Sequence, residues 1–340
     1  MDVHISIIED FKQNCPSVNV IDWCMSGHAW VMKRKQDMPE HINAKTWTDI
    51  NPGMIAAFQA KYDDFLRGFD FFIVGYASCF AMIYEKYRKP VLMLNAVRYD
   101  VPFCWTKDLA MLEQYKSCLR RLQSDNRLYI VSNNKADQLY LQRGCGLSSI
   151  FLPALCLYTG IRYAPTRDTF LVYTGKVPDH PLITQKPARP FEWSEIGSFR
   201  GIIHIPYEVS TMSMFEHFSA GLPLFFPSRA FWKTMPNIQS MSAYWADSPP
   251  PELNELRDLS IWIDLSDVYE TFSSPNTHYF DSFEHLFQLL ESFVYVDAKT
   301  HYVANIQKKW QQITDVLRNN EHVKGGRHYG YLRSGRLLPM

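Results

Sequence analysis

The chain has 340 residues, and its 35 Lys+Arg are balanced by 35 Asp+Glu. That length allows two domains with real cores. The even charge lacks the basic excess that a phosphate backbone or an anionic membrane would demand of its partner. Apolar residues make up 46% and aromatic ones 15%, so rings are plentiful both for cores and for stacking on sugars.

Along the chain, strand-like runs alternate with helix-like ones, the pattern of parallel α/β layers. Val18–Trp23 reads as a strand, followed by a CMSGHAW loop. Asn51-Pro52 is an N-cap with proline at the first helical position. Met54, Phe58, Tyr62 and Phe65 then recur at helical spacing up to Gly68. Phe71–Val74 is a short buried strand, Phe80–Tyr87 a helix and Pro90–Asn95 a strand. Lys107–Ser124 is an amphipathic helix and Arg127–Ser132 a strand. Ala136–Arg143 is a helix closed by Gly144, and Ser149–Leu152 is the last strand of a Rossmann-like unit. The pattern breaks between Pro153 and Pro165. It restarts with strand Thr169–Tyr173, strand Gly201–Ile205, helix Ser213–Ala220 with Gly221 as its stop, and strand Pro223–Phe226. The apolar run Ile261–Ile263, a helix at Phe283–Glu291 and a long helix near Ala298–Arg318 follow, the last leading into a basic tail. These elements predict two Rossmann-like domains facing a cleft, residues 1–158 and 159–300, with residues 301–340 as a helix that packs back and a tail.

Seven cysteines, an odd number without a Cys-x-x-Cys pair, argue against a disulfide framework or a zinc ribbon. No glycosylation sequon occurs, the N-terminus lacks the regions of a signal peptide, and no run is apolar enough to span a bilayer. The expectation is a cytoplasmic protein with free thiols, no transmembrane segment and no nucleic-acid partner.

The stretch that carries chemistry is GIIHIPYEVSTMSMFEHFSAGLPLFFPS, residues 201–228. A buried strand runs into a Pro-Tyr-Glu turn, a Ser/Thr-rich helix start, a helix, a glycine stop and another buried strand. Ser210, Thr211, Met212 and Ser213 stand where backbone N–H groups have no helical acceptor, a place that binds anions. Glu208 lies at the carboxyl end of the strand, where open α/β sheets bind ligands. Glu216 follows eight residues later.

This segment resembles the Glu-x7-Glu segment of retaining glycosyltransferases of the GT-B fold, most like the large family-4 type. The matching pieces are Pro206, Glu208, Glu216 and the Ala220-Gly221-x-Pro223 ending. The bare spacing is weak, and the surrounding strand–Pro–Glu–helix context carries the resemblance. The segment is also similar to that of uncharacterised glycosyltransferases of large DNA viruses and protists. The resemblance implies that Glu208 lies beside the donor sugar, that Glu216 binds the nucleotide ribose, and that the amides between them hold the diphosphate. It also implies a basic residue on the diphosphate near Lys176. Val209, Ser210 and Thr211 depart from the family, which usually places glycines there. Tyr207 is a candidate for stacking on base or sugar, whereas His204, inward on its strand, reads as core. In the first half, Arg98 in the Arg98-Tyr99-Asp100 turn is a candidate for stabilising the leaving diphosphate or binding the acceptor; a surface pair with Asp100 is the plainer alternative. His28, in the loop after the first predicted strand, is a candidate contact to phosphate or acceptor.

No Asp-x-Asp, G-x-G-x-x-G, Walker loop, His-Glu-x-x-His or G-x-S-x-G occurs, so neither a metal nor another cofactor is expected. The function implied is transfer of a sugar from a nucleotide-diphosphate sugar, UDP favoured over GDP, to a glycan or glycoconjugate hydroxyl. A nucleotide-sugar epimerase and a non-catalytic nucleotide-sugar-binding protein are the alternatives.

Overall fold

The computed structural model describes residues 3–27, 38–186, 192–235, 245, 249–297 and 302–320. Helix α1 (Val3–Asn14) opens the chain, and α2 (Pro52–Arg67) follows. The Asn51 side chain caps α2 by accepting from the Met54 N–H at 3.1 Å. A first sheet then forms from β1 (Phe72–Val74), β2 (Val91–Asn95), β3 (Leu128–Ser132) and β4 (Ile150–Phe151). All its strands are parallel, in the order β1-β2-β3-β4. The helices α3 (Leu109–Ser124) and α4 (Lys135–Cys145) cross between its strands. Every residue of β2 is buried, as a parallel strand covered on both faces requires.

The second sheet holds β5 (Phe170–Thr174), β6 (Ile183–Gln185), β7 (Ile202–His204), β8 (Leu224–Pro227) and β9 (Thr277–Phe280). It too is wholly parallel, but its order is β6-β5-β7-β8-β9. The chain therefore runs outward from β5 in one direction to β6 and in the other to β7, a switch of order at the β5/β7 boundary. Helices α5 (Met212–Ser219), α6 (Leu259–Asp264), α7 (Asp267–Glu270) and α8 (Phe283–Ser292) complete this half. The last helix, α9 (Tyr302–Asn319), returns to the first half. Trp310 meets Phe11 edge-on at 5.5 Å, the Tyr302 hydroxyl donates to the Ala154 carbonyl at 2.8 Å, and Asn320 donates to the Tyr129 hydroxyl at 2.6 Å.

Several sequence expectations need correction. Val18–Trp23 joins neither sheet. Its Trp23 packs on α2 instead, stacking on Phe65 at 5.0 Å and meeting Phe58 edge-on at 6.3 Å. Helix α4 does not stop at Gly144. It runs to Cys145, and Gly146, at φ 75°, is the left-handed cap. Gly144 has another role, because a Cβ there would lie 2.6 Å from the Tyr99 hydroxyl oxygen. Ile261–Ile263 is helical, within α6, while β6 and β9 have no counterpart in the sequence reading.

A loop region of the second half also docks on the first. Trp245 is buried and its indole N–H donates to Asp100 at 2.8 Å; Glu252 and Glu255 pair with Lys116 and Arg143, each at 2.7 Å. All seven cysteines are buried. No helix among the described residues is long and apolar enough to cross a membrane.

Candidate functional site

Open parallel α/β sheets bind ligands outside the carboxyl ends of their strands, at the switch of strand order. Here that place is the rim where β5 and β7 end. Thr174-Gly175-Lys176 leaves β5, and Ile205-Pro206-Tyr207-Glu208 leaves β7. Gly175 has φ 76°, and a Cβ there would collide with Ile205, just past the end of the neighbouring strand, so only glycine lets the two rim segments approach. Lys176 and Tyr207 are exposed, Tyr207 at 47%.

The loop from β7 into α5 is anchored from below. The Val209 carbonyl accepts from the Asp267 N–H at 3.1 Å and from the Ser266 hydroxyl at 2.7 Å. Thr211 is the N-cap of α5, but its side chain makes no capping bond; its hydroxyl lies 3.2 Å from that of Ser213. The first turn of α5 is therefore without the usual side-chain acceptor for its N–H groups. Ser210 and Ser213 are half-buried, Thr211 is buried at the rim, and the Met212 side chain points into the core.

Glu208 and Arg98 meet. One Arg98 nitrogen donates to Glu208 Oε1 at 3.1 Å and the other to Asp137 Oδ1 at 3.4 Å, with the guanidinium 4.6 Å over the Trp262 ring. Arg98 leaves β2, Asp137 sits in the first turn of α4 just after β3, and Glu208 leaves β7. The carboxyl ends of the two sheets thus face each other across this ion pair. Arg98 is 3% exposed and does not pair with Asp100, which is held by Tyr140 and Trp245. Burial pushes the Glu208 and Asp137 carboxyls up, and the Arg98 charge opposes it in both. Asp267, also buried, is raised to about 8 by burial, against the Ser210 and Thr271 hydroxyls.

Glu216 is not an exposed helical carboxylate. It is fully buried and accepts from the Tyr158 hydroxyl at 2.7 Å. Beside it His217 and His204 share a ring-nitrogen contact of 2.9 Å, with Thr174 at 3.3 Å from the other His204 nitrogen. Burial lowers His204 to about 3 and His217 well below its ordinary value, so this pair is neutral at physiological pH. His204 is core, as its strand position indicated. The cation that faces this cluster is Lys186, at the carboxyl end of β6, with its ammonium 3.9 Å over the Tyr173 ring. Burial lowers its pKa and the Glu216 charge opposes that. Sequence reasoning missed Lys186 because β6 is a three-residue edge strand with no periodic signal. Lys176, the sequence candidate, shares the rim but stands in solvent. His28 lies outside the described residues.

Arg98, Glu208 and Trp262 stand together where the two rims meet. A groove of about 680 Å3 lies elsewhere, between α3 and the end of α4, lined by Lys116, Arg120, Arg143 and Glu252 among others. It contains none of the candidate residues. Among the described residues no group of three or more His, Cys, Asp or Glu is arranged to hold a metal ion. No protein-family model matches the chain, and no curated protein matches it either.

Proposed function

We propose that the protein is a GT-B-type glycosyltransferase, taking a sugar from a nucleoside-diphosphate sugar, UDP foremost, to a hydroxyl of a glycan or glycoconjugate. The observation that carries the reading is the meeting of two parallel sheets, carboxyl end to carboxyl end, at a switch of strand order from which Glu208 projects. The α5 N-terminus without a side-chain cap, Glu216 within the same helix and Lys186 at the rim support it.

In this reading the diphosphate lies against the first-turn amides of α5, whose dipole favours anions. The ribose diol bonds to Glu216 in place of the Tyr158 hydroxyl. Glu208 orients the sugar at its reacting carbon. The bond from that carbon to the diphosphate breaks as the bond to the acceptor oxygen forms on the same face. The acceptor proton passes to the departing phosphate oxygen, so no carboxylate nucleophile is needed.

Nucleoside diphosphates should bind and raise the melting temperature without added metal. A ligand at 100 times its dissociation constant adds about 2.7 kcal/mol of stability. A thermal-shift panel of UDP, GDP and dTDP with their sugars tests this, and silence across the panel would remove the reading.

A further inference from the structure

We propose that Arg98 is the diphosphate receptor of the first half, and that in the ligand-free protein the Glu208 carboxylate occupies it as an internal stand-in for the ligand. The proposal deepens the donor-site reading: it relies on that reading for the ligand's identity, while the exchange itself rests on how Asp137 and Glu208 hold Arg98.

Those partners are held very differently. Asp137 is the inner one, 1% exposed and on a helix. Its Oδ2 accepts from Asn134 Nδ2 at 2.7 Å, and its own N–H donates to Asn134 Oδ1 at 2.7 Å. Glu208 is the outer one, with a side chain 15% exposed and carried on the loop between β7 and α5. Its Oε1 accepts from both Arg98, at 3.1 Å, and the backbone N–H of Val209, at 2.9 Å. A guanidinium and a backbone N–H converging on one anionic oxygen is the donor set that phosphate oxygens favour.

If Glu208 swings toward solvent, Arg98 keeps Asp137 and its place over the Trp262 ring, and a diphosphate oxygen takes the vacated position. The neighbouring acids leave room for this exchange. Glu270 is engaged by Lys135 at 2.6 Å and Arg229 at 3.5 Å, and burial keeps Asp267 protonated at neutral pH. The released Glu208 is then free to face the sugar. One residue would thus guard the site when empty and serve it when full.

An intramolecular competitor lowers apparent affinity by the fraction of time it leaves the site free. If Glu208 fills Arg98 nine-tenths of the time, Glu208→Gln should bind inorganic pyrophosphate about tenfold more tightly than the wild type. Calorimetry on the full chain at pH 7 reads this directly. Arg98→Gln should lose pyrophosphate binding, and Arg98→Lys, which retains the charge without the fork, should fall between. Uridine affinity should stay unchanged in all three, which also certifies that each variant is folded. Pyrophosphate affinity that is unchanged or weaker in Glu208→Gln, or retained in Arg98→Gln, overturns the proposal. Sugar transfer is scored separately. Shifted pyrophosphate affinities with no transfer would leave the exchange standing and remove the glycosyltransferase reading; transfer without the shifts would do the reverse.

Discussion

At the carboxyl ends of β2 and β3, Asn95, Ser132, Asn133, Asn134 and Asp137 are each at most 3% exposed and bonded to one another. At the ends of β5 and β7, Lys176 and Tyr207 stand in solvent and Ser210 and Ser213 are half-buried. The two rims face each other, yet one is a closed polar network and the other an open edge. Strand order explains the difference. In the first sheet successive strands lie side by side, so consecutive loops stack and their polar side chains bond to one another. In the second sheet the chain departs in opposite directions from β5, and the loops part. Buried hydrogen bonds run through the first rim, and Arg98 is held there by Asp137 and the Trp262 ring, while the second rim presents exposed groups.

Experiments that disturb one rim at a time would break or sharpen this contrast. The largest effect expected is that of pH on Asp267, beneath the loop of the open rim. Its carboxyl is raised from an ordinary value near 3.8 to about 8 in the folded protein. Between those values the unfolded chain has lost the proton and the folded one still holds it. Stability should therefore fall as pH rises from about 4 to about 8, by up to about 1.4 kcal/mol per pH unit from this group. Asp267→Asn should flatten that slope in chemical denaturation across the range; an unchanged slope would show that Asp267 titrates normally.

Next comes the closed rim itself. Asp137→Ala leaves the buried Arg98 without its inner partner, a change that costs about 3–5 kcal/mol in comparable pairs. Ser213→Ala on the open rim should stay within about 0.5 kcal/mol. Equal losses in urea denaturation would erase the distinction between the rims.

The two glutamates should separate in kinetics. In the proposed reading Glu216 holds the ribose equally in ground and transition states, so Glu216→Gln should raise KM more than it lowers kcat. Glu208→Gln should lower kcat. A charge-assisted bond of about 1.5–3 kcal/mol corresponds to a loss of about 10- to 150-fold in kcat/KM for each. Wild-type donor affinity and turnover in both variants would withdraw the assignment of residues 201–228. A smaller effect than these rate losses is that of Tyr158→Phe, which removes the hydroxyl on Glu216. It should cost about 1 kcal/mol of stability and leave donor affinity intact or improved, since ribose no longer has to displace it; a large loss of affinity would place Tyr158 on the ligand instead.

Much of this layout was legible from residue order. The N-cap at Asn51, the buried run Val91–Asn95 and the turn Pro206-Tyr207-Glu208 each act within a few residues, so local chemistry reveals them. Val18–Trp23 misled because alternating apolar residues signal packing on one face, and an α2 surface satisfies that as well as a sheet does. That Glu216 is buried and bonded to the Tyr158 hydroxyl, 58 positions away, is not encoded locally, and Lys186 was hidden in an edge strand too short to show a period.

By itself the sequence determined the alternation of strands and helices, the parallel character of both sheets and the rim position of Glu208. Those follow from periodicity, caps and turn residues, which are properties of neighbouring positions. The tertiary structure alone decided that strand order reverses at β5/β7, that Asp137 stands behind Arg98, and that Arg98 reaches Glu208, 110 positions further along the chain. A buried charge takes whichever counter-charge the packed elements bring within about 4 Å, and no local pattern encodes that pairing.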